Sequence, residues 1–423
     1  MAILDDHLKD LPGVPRFRRA PFPRQRESRD AKSQAIVEQR DHLGFLDGIR
    51  GWMSVWVFLG HSASTVMFKF PVLDSPAKAV DIFMVVSGFL MMFHYRLRAG
   101  RDPWDSPATW RKFWVRRLLR IAPLYYILLV ISILGYGYFR DEQATFTGGM
   151  ASMHPAARAL EDDVLHFTFL FGLFPNHCAT MPIPDWSISL EMQFYAIFPF
   201  LALATKRIGL ISSGAIAGLV TVVSVNLLWE VYGLGPPKLL GSFPQPSLIL
   251  LKAGFFLCGM MAAEAMELKR TNTGNAARVA LASFLLAAVL SGKLVTAIVG
   301  LIVLLSFSQS GFASPRLDRT LRVVRGFLCS KASRFLASRS YSVYLAHTLV
   351  LFSTGMQLNR LRWFEQAPPI LRFAALSAAC AAVLAPITWV LHHAVESPGI
   401  ALGKRLTERR PSDVLRVSAS AGL

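Results

Sequence analysis

Asp47, Arg50 and His61 fall within one short stretch, Phe45-Leu-Asp-Gly-Ile-Arg-Gly51 and the apolar run that follows it to Phe68. Asp47 and Arg50, three residues apart, share one face of a helix. Eleven further steps of about 100° return to within about 20° of that face, so His61 lies beneath Arg50, about 16 Å along the axis. An imidazole can take a proton from a hydroxyl near neutral pH, and a guanidinium at the helix start can hold an anionic group. A single helical histidine more commonly serves as a buried hydrogen-bonding group. Its alignment with Asp47 and Arg50 is what favours chemistry.

A second cluster is Arg111-Lys-Phe-Trp-Val-Arg-Arg-Leu-Leu-Arg120, directly before Ile121-Ala-Pro-Leu-Tyr-Tyr126. Basic residues at a helix end also satisfy the orientation rule of membrane proteins and attract anionic lipid. The functional reading is that Arg117 and Arg120, spaced for one face, with Arg116 and Tyr125 nearby, grip a phosphorylated donor. Glu191, in Trp186-Ser-Ile-Ser-Leu-Glu-Met-Gln-Phe-Tyr195, sits about one turn inside an apolar stretch, with Ser187 and Tyr195 on its face. A carboxylate there needs a partner, and Arg50 or His61 can supply one; a structural ion pair is the competing account. Asp81 opens another apolar stretch that contains Ser87-Gly88, small residues suited to close helix packing. Tyr344 and His347, three residues apart in Ser338-Arg-Ser-Tyr-Ser-Val-Tyr-Leu-Ala-His347, share a face and are equally suited to packing. His392-His393 and His177-Cys178 lack a third ligand at metal spacing, and no metal site is expected.

The elements that position these groups must be membrane helices. Of the 423 residues, 53% are hydrophobic and 17% charged, whereas soluble domains carry about 25% charge. Thirty Phe, nine Trp and nine Tyr exclude a disordered chain. Ten apolar segments are candidate spans: Gly51–Phe68, Val80–Tyr95, Ile121–Phe139, Ile188–Ala204, Ile208–Trp229, Pro246–Met266, Val279–Leu290, Leu294–Pro315, Ser340–Asn359 and Phe373–Val395. Val279–Leu290 is the shortest and must be extended to cross. The expected fold is therefore an all-α, polytopic membrane bundle of about ten helices.

The net charge of +18 would elsewhere suggest nucleic acid, but its distribution points to membrane lipid instead. Nine Lys and Arg precede Gly44, eight fall in Arg96–Arg120, six in Arg316–Arg334 and five after Ala394, against two in Lys69–Lys78. Both termini are thus expected in the cytoplasm. Two cytoplasmic ends require an even number of crossings, so an eleventh apolar stretch, Val164–Pro184, is read as re-entrant or interfacial on the outer side. It joins the loop Arg140–Asp163, whose five acidic residues suit that side. Residues 1–44 are read as a flexible basic tail, 45–404 as the membrane domain and 405–423 as a second tail. No extramembrane stretch is long enough for another catalytic domain, and the four scattered cysteines suggest no disulfide framework.

Taken in order, Phe-Leu-Asp-Gly-Ile-Arg-Gly ending in His61, Val80-Asp-Ile-Phe with Ser-Gly-Phe89, Arg116-Arg-Leu-Leu-Arg120 with Pro-Leu-Tyr-Tyr126, Trp186-Ser-Ile-Ser-Leu-Glu191 with Gln-Phe-Tyr195, and Tyr341-Ser-Val-Tyr-Leu-Ala-His347 resemble acyltransferase family 3 over about Phe45 to Lys404. These are integral-membrane acyltransferases that include bacterial polysaccharide O-acetyltransferases. The resemblance implies a ten-helix inner-membrane enzyme that uses cytoplasmic acetyl-CoA, or another acyl-CoA, to esterify a sugar hydroxyl. Acceptors of this kind include O-antigen, exopolysaccharide and lipid-linked sugars. By position, Arg50 and His61 match the family's Arg-x10-His pair, Arg117 and Arg120 its Arg-x-x-Arg donor motif, and Glu191 the acid of its Trp-Ser-x-Ser-x-Glu motif. Met192 stands where a second Glu is common, Met84 replaces a usual Phe and Ala122 a usual aromatic. A hydrolase-like domain fused in some members is expected here to be a separate polysaccharide-synthesis or export protein.

The expected catalytic set is His61 with Arg50, Glu191 and Asp47, where Glu191 or Asp47 orients the imidazole. The donor set is Arg117, Arg120, Arg116 and Tyr125. Acceptor contacts are expected from Asp81, Ser187, Tyr195, Tyr344 and His347, with the outer loops of residues 140–185. His61 acts either as general base or as a transient acyl carrier. The competing class is a secondary transporter or flippase, which also explains charge inside a membrane but commonly shows matching halves, and no internal repeat of the first-helix motif is present. A non-catalytic scaffold would leave His61 dispensable.

Overall fold

The computed structural model describes residues 43–98, 102–146, 159–229, 243–269, 271–308 and 314–408. The basic segment before residue 43 and the tail beyond 408 lie outside the described residues. Among those described, the regular secondary structure is helical, apart from an isolated bridge between Trp229 and Phe243. In chain order the helices are α1 (Gly44–Thr65), α2 (Pro76–Arg98), α3 (Pro107–Leu134), α4 (Tyr136–Phe146), α5 (Leu160–Phe167), α6 (Trp186–Ile208), α7 (Leu210–Leu228), α8 (Ala253–Leu268), α9 (Thr273–Leu290), α10 (Lys293–Phe307), α11 (Pro315–Leu328), α12 (Lys331–Asn359), α13 (Arg362–Gln366), α14 (Pro369–Leu391) and α15 (Ser397–Thr407).

Each of the ten apolar segments overlaps a helix, and among the described residues six helical stretches are long and apolar enough to cross a membrane. The bounds differ from the sequence reading most consequentially in two segments. The segment taken as too short begins earlier, at Thr273, because Asn272 caps the helix by accepting from the Asn275 amide; the result is 18 residues. Leu294–Pro315 instead contracts to the 15 residues of α10, about 22 Å of helix against a bilayer core of ~30 Å.

Two helix pairs fix the frame. In the first, α2 and α8 run parallel, joined at one end by Asp81 and Lys252, 2.5 Å apart, and at the other by a bidentate pair between Arg96 and Glu264. Between the pairs, Gly88 faces the Phe256 carbonyl and Gly259 the Val85 carbonyl so closely that a Cβ on either would collide with backbone. In the second, α1 runs parallel to α12: Gly51 abuts Leu336 and Ala337, and Trp52 donates to Ser333 Oγ at 3.1 Å, while Gly48 abuts Leu328 at the end of α11. Small residues let backbones approach where apolar burial gives little drive for association.

The helices α3 and α6 run antiparallel, since the Trp114 indole donates to the Tyr195 carbonyl at 2.9 Å while Tyr125 reaches back to Asp185 at the start of α6. The chain therefore leaves and re-enters the bundle at the same end. The apolar stretch in this connection forms no long helix; it holds α5, a 3-10 turn at Phe171–Leu173 and irregular backbone up to Asp185.

Replacing Gly88 with Ala overpacks the α2–α8 contact and is expected to cost about 1–3 kcal/mol. Thermal melting in detergent should show a lowered midpoint for Gly88→Ala and none for Gly137→Ala, where a Cβ meets nothing within 4 Å.

Candidate active site

His61, about four-fifths of the way along α1, is where the parallel packing of α1 on α12 brings two imidazoles together. His61 Nδ1 lies 2.7 Å from Nε2 of the fully buried His347, with the rings stacked at 5.0 Å. His347 Nδ1 lies 2.6 Å from the Tyr344 carbonyl oxygen. That carbonyl can only accept, so His347 Nδ1 carries a hydrogen and the neutral ring presents a lone pair at Nε2. His61 Nδ1 must donate to it. The lone pair of His61 then sits at Nε2, the nitrogen left for the cavity that His61 lines.

That cavity, about 560 Å³, opens at the end of the bundle away from Arg50. His61, Tyr344 and Thr348 line it from α1 and α12, while Met181–Trp186, Asp74 and Trp229 enclose it. Its wall is mainly apolar, with two carboxyl groups, Asp74 and Asp185. Thr348 donates to the Pro182 carbonyl at 2.9 Å, and Ser187 donates to the Tyr344 hydroxyl at 2.8 Å, so the loop before α6 is bonded to α12.

A second grouping lies toward the N-terminus of α1. Charge interactions link Arg50 with Arg120, Asp47, Glu191 and Tyr195, and link Arg117 and Arg120 with the same Glu191 and Tyr195. Arg117 lies over the rings of Tyr195 and Phe113 at 5.5 and 5.7 Å, and Tyr195 donates to Glu191, which Ser87 Oγ also approaches at 3.5 Å. Three guanidinium groups gather here, countered by Glu191, by Asp47 at Arg50 and by Glu396 at Arg120, and their planar forks match phosphate geometry. Arg120 interacts in addition with Glu396, which accepts from Ser342 Oγ at 3.0 Å and from His392 Nδ1 at 3.2 Å in a π-turn between α14 and α15.

The expected residues thus separate into two places. Arg50, Arg117, Arg120, Glu191 and Tyr195 stand together; His61, His347 and Tyr344 meet at the cavity. Several assignments need correction. Neither Glu191 nor Asp47 orients His61, because Glu191 is engaged by Tyr195 and Asp47 pairs with Arg50 at 3.6 Å; His347 takes that role. Tyr125 is not beside the donor arginines, since its hydroxyl donates toward Asp185 and the His166 carbonyl at the other end of the bundle. Arg116 donates to Thr407 and fastens α15. Asp81 is held by Lys252, and Val80 rather than Asp81 lines the cavity. Ser187 reaches the cavity only through Tyr344, and Tyr195 belongs to the arginine grouping. Glu396, Asp74 and Asp185 went unmarked in the sequence, although Asp185 directly precedes the Trp-Ser-Ile-Ser-Leu-Glu motif.

Comparison with known proteins now decides the family. A family model described as an acyltransferase domain, that of the acyltransferases named above, matches residues 43–390, most of the chain. The chain belongs to this acyltransferase family. It is 24% identical over 164 residues to the peptidoglycan O-acetyltransferase OatA of Listeria monocytogenes, covering 38% of this chain and 24% of OatA. The putative peptidoglycan O-acetyltransferase YrhL of Bacillus subtilis is 25% identical over 193 residues, 45% of this chain and 28% of YrhL. The acyltransferase MdmB of Streptomyces mycarofaciens is 27% identical over 177 residues, 39% of this chain and 41% of MdmB. The matched region thus spans about a quarter of the two peptidoglycan relatives and less than half of MdmB. No solved structure matches.

Replacing His347 with Ala removes the acceptor that fixes the His61 tautomer. If His61 is the base, acyl transfer should fall about 100-fold, the size of a general-base contribution, with the KM for donor unchanged. Steady-state kinetics of the purified protein test this.

Proposed function

We propose that this protein is a multi-pass inner-membrane O-acyltransferase that moves an acyl group, most simply acetyl, from cytoplasmic acyl-CoA to a hydroxyl of an envelope or secreted glycan. The observation that carries the reading is the chain His61–His347–Tyr344, which leaves His61 Nε2 as a hydrogen-bond acceptor in a cavity large enough for a sugar unit. Names of the family's relatives support ester formation on glycans, and their limited overlap with this chain leaves the acceptor to experiment.

Helix directions support ten crossings with both ends cytoplasmic. Counting α1, α2, α3, α6, α7, α8, α9, α10, α12 and α14 as spans, the parallel pairs α1/α12 and α2/α8 have matching parity, and the antiparallel pair α3/α6 has opposite parity. In this frame Arg50, Arg96, Arg98, Arg117, Arg120, Lys206 and Arg207 share the cytoplasmic end, in keeping with the orientation rule. Arg117, Arg120 and Arg50 hold the donor's phosphates there. Its thioester then extends along α1 toward His61, about 16 Å away.

His61 Nε2 accepts the proton of the acceptor hydroxyl as its oxygen attacks the thioester carbonyl. The tetrahedral adduct collapses with departure of the thiolate, which takes the proton from His61. His347 accepts from Nδ1 throughout and stabilises the imidazolium in the manner of the orienting member of a triad.

The reading predicts separate effects of the two groupings. In cells that lack this protein, wild type should restore a base-labile ester on envelope or secreted glycan, detected by mass spectrometry, and His61→Ala at matched membrane level should not. Arg117→Ala and Arg120→Ala should raise the KM for acyl-CoA about 10-fold or more each, the size of a lost charge-assisted contact, with the KM for acceptor unchanged. Full restoration by His61→Ala would refute the assignment of the base.

A further inference from the structure

A second buried pair lies in the wall of the cavity, and the steps above do not use it. Asp185, 1% exposed, lines the cavity directly before α6, and its Oδ2 is 3.3 Å from Nε2 of the fully buried His166 in α5. The His166 ring stacks on Phe171 at 4.1 Å, and its Nδ1 lies 2.7 Å from the Asp162 carbonyl oxygen. Nδ1 therefore carries a hydrogen, and the neutral ring turns a lone pair toward Asp185. His166 Nε2 is buried without a hydrogen-bond partner apart from this 3.3 Å approach, and a carboxylate facing its lone pair would be repelled, a conflict that a proton on Oδ2 relieves.

Its place follows from the surroundings. Burial pushes the Asp185 carboxyl well above its usual range and the His166 imidazole down to about 4, both toward the neutral form. A separated ion pair here would require desolvating both charges. Of the other groups facing the pair, the Tyr125 hydroxyl shares its hydrogen between the His166 carbonyl at 3.3 Å and Oδ2 at 3.4 Å, and the Asp162 carboxylate is bonded to His177 at 2.6 Å. Both side-chain contacts of Asp185 fall on Oδ2, its own backbone N–H also interacts with the carboxyl, and the residue lines the cavity.

We propose that Asp185 is kept as the neutral acid by His166 and that its Oδ1 accepts a hydrogen bond from a hydroxyl of the acceptor, which makes Asp185 a specificity-determining residue of the acceptor cavity. The proposal rests on the reading that this cavity receives the acceptor. A neutral carboxyl offers a carbonyl-type acceptor for a sugar hydroxyl without placing an unpaired charge in a mainly apolar chamber. Tyr125, His166 and Phe171 act through Asp185 as positioning residues.

Two measurements test it. In infrared spectra of the purified full-length protein at pH 7, wild type should show a protonated-carboxyl C=O band that shifts in heavy water and is missing from Asp185→Asn. Lack of such a band overturns the proposal. In the complemented cells, Asp185→Ala should lower the glycan ester about 10-fold or more, as expected when a hydrogen bond to a substrate hydroxyl is lost. Asp185→Asn, which copies the neutral acid with a carbonyl oxygen and an N–H directed at His166, should recover most of that loss. Asp185 makes no side-chain cap bond to α6, so alanine leaves the helix start intact. Equal loss in both variants at matched membrane level overturns the assignment of a neutral acid. A wild type that forms no ester overturns the acceptor role together with the transfer reading, while the infrared band reports on the proton alone, so the two failures are distinguishable.

Discussion

The hydrogen bond between His61 and His347 is the contact on which the rest of the site depends. A neutral imidazole acts as a base at one nitrogen while the other carries the hydrogen, and a fixed acceptor for that hydrogen selects the tautomer. A second histidine, itself fixed by a backbone carbonyl one turn earlier, supplies the acceptor without bringing a net charge into the interior. The close approach of α1 to α12 at Gly51, continued at Gly48 against the end of α11, is what makes the 2.7 Å contact possible. Packing at one end of these helices thereby sets proton chemistry at the other.

The same architecture separates two kinds of recognition. The arginines, balanced in part by Glu191 and Glu396, form a charged end suited to phosphate. The cavity is apolar, with hydrogen-bonding groups fixed by neighbouring backbone. The first helix spans both, so in the proposed reaction a donor and an acceptor would approach from opposite ends and meet at one residue.

Much of this was legible in the sequence because it rests on periodicity within single helices. Arg50 and His61 share a face of α1, and Tyr344 and His347 share a face of α12, by spacing alone. What the sequence did not disclose is pairing between helices. The partner of His61 lies 286 positions away, and Glu191 looked free to serve it until Tyr195, one turn later, proved to hold it. Tyr125 failed as a donor residue for a related reason: five residues beyond Arg120 place it roughly 140° round the helix and about 7 Å further along. Asp81 read as a functional intramembrane acid, yet its pairing with Lys252 belongs to the α2–α8 frame. Asp185 gave no periodic signal because it sits in irregular chain.

The antiparallel course of α3 and α6 has a consequence for how such a protein can diversify. The connection between them supplies much of the cavity wall, and it begins and ends on one side of the bundle. Lengthening, shortening or exchanging it changes what the chamber admits while every later helix keeps its direction. Substrate choice is therefore topologically neutral: the lining can be rewritten without rethreading the helices that carry the base and the arginines.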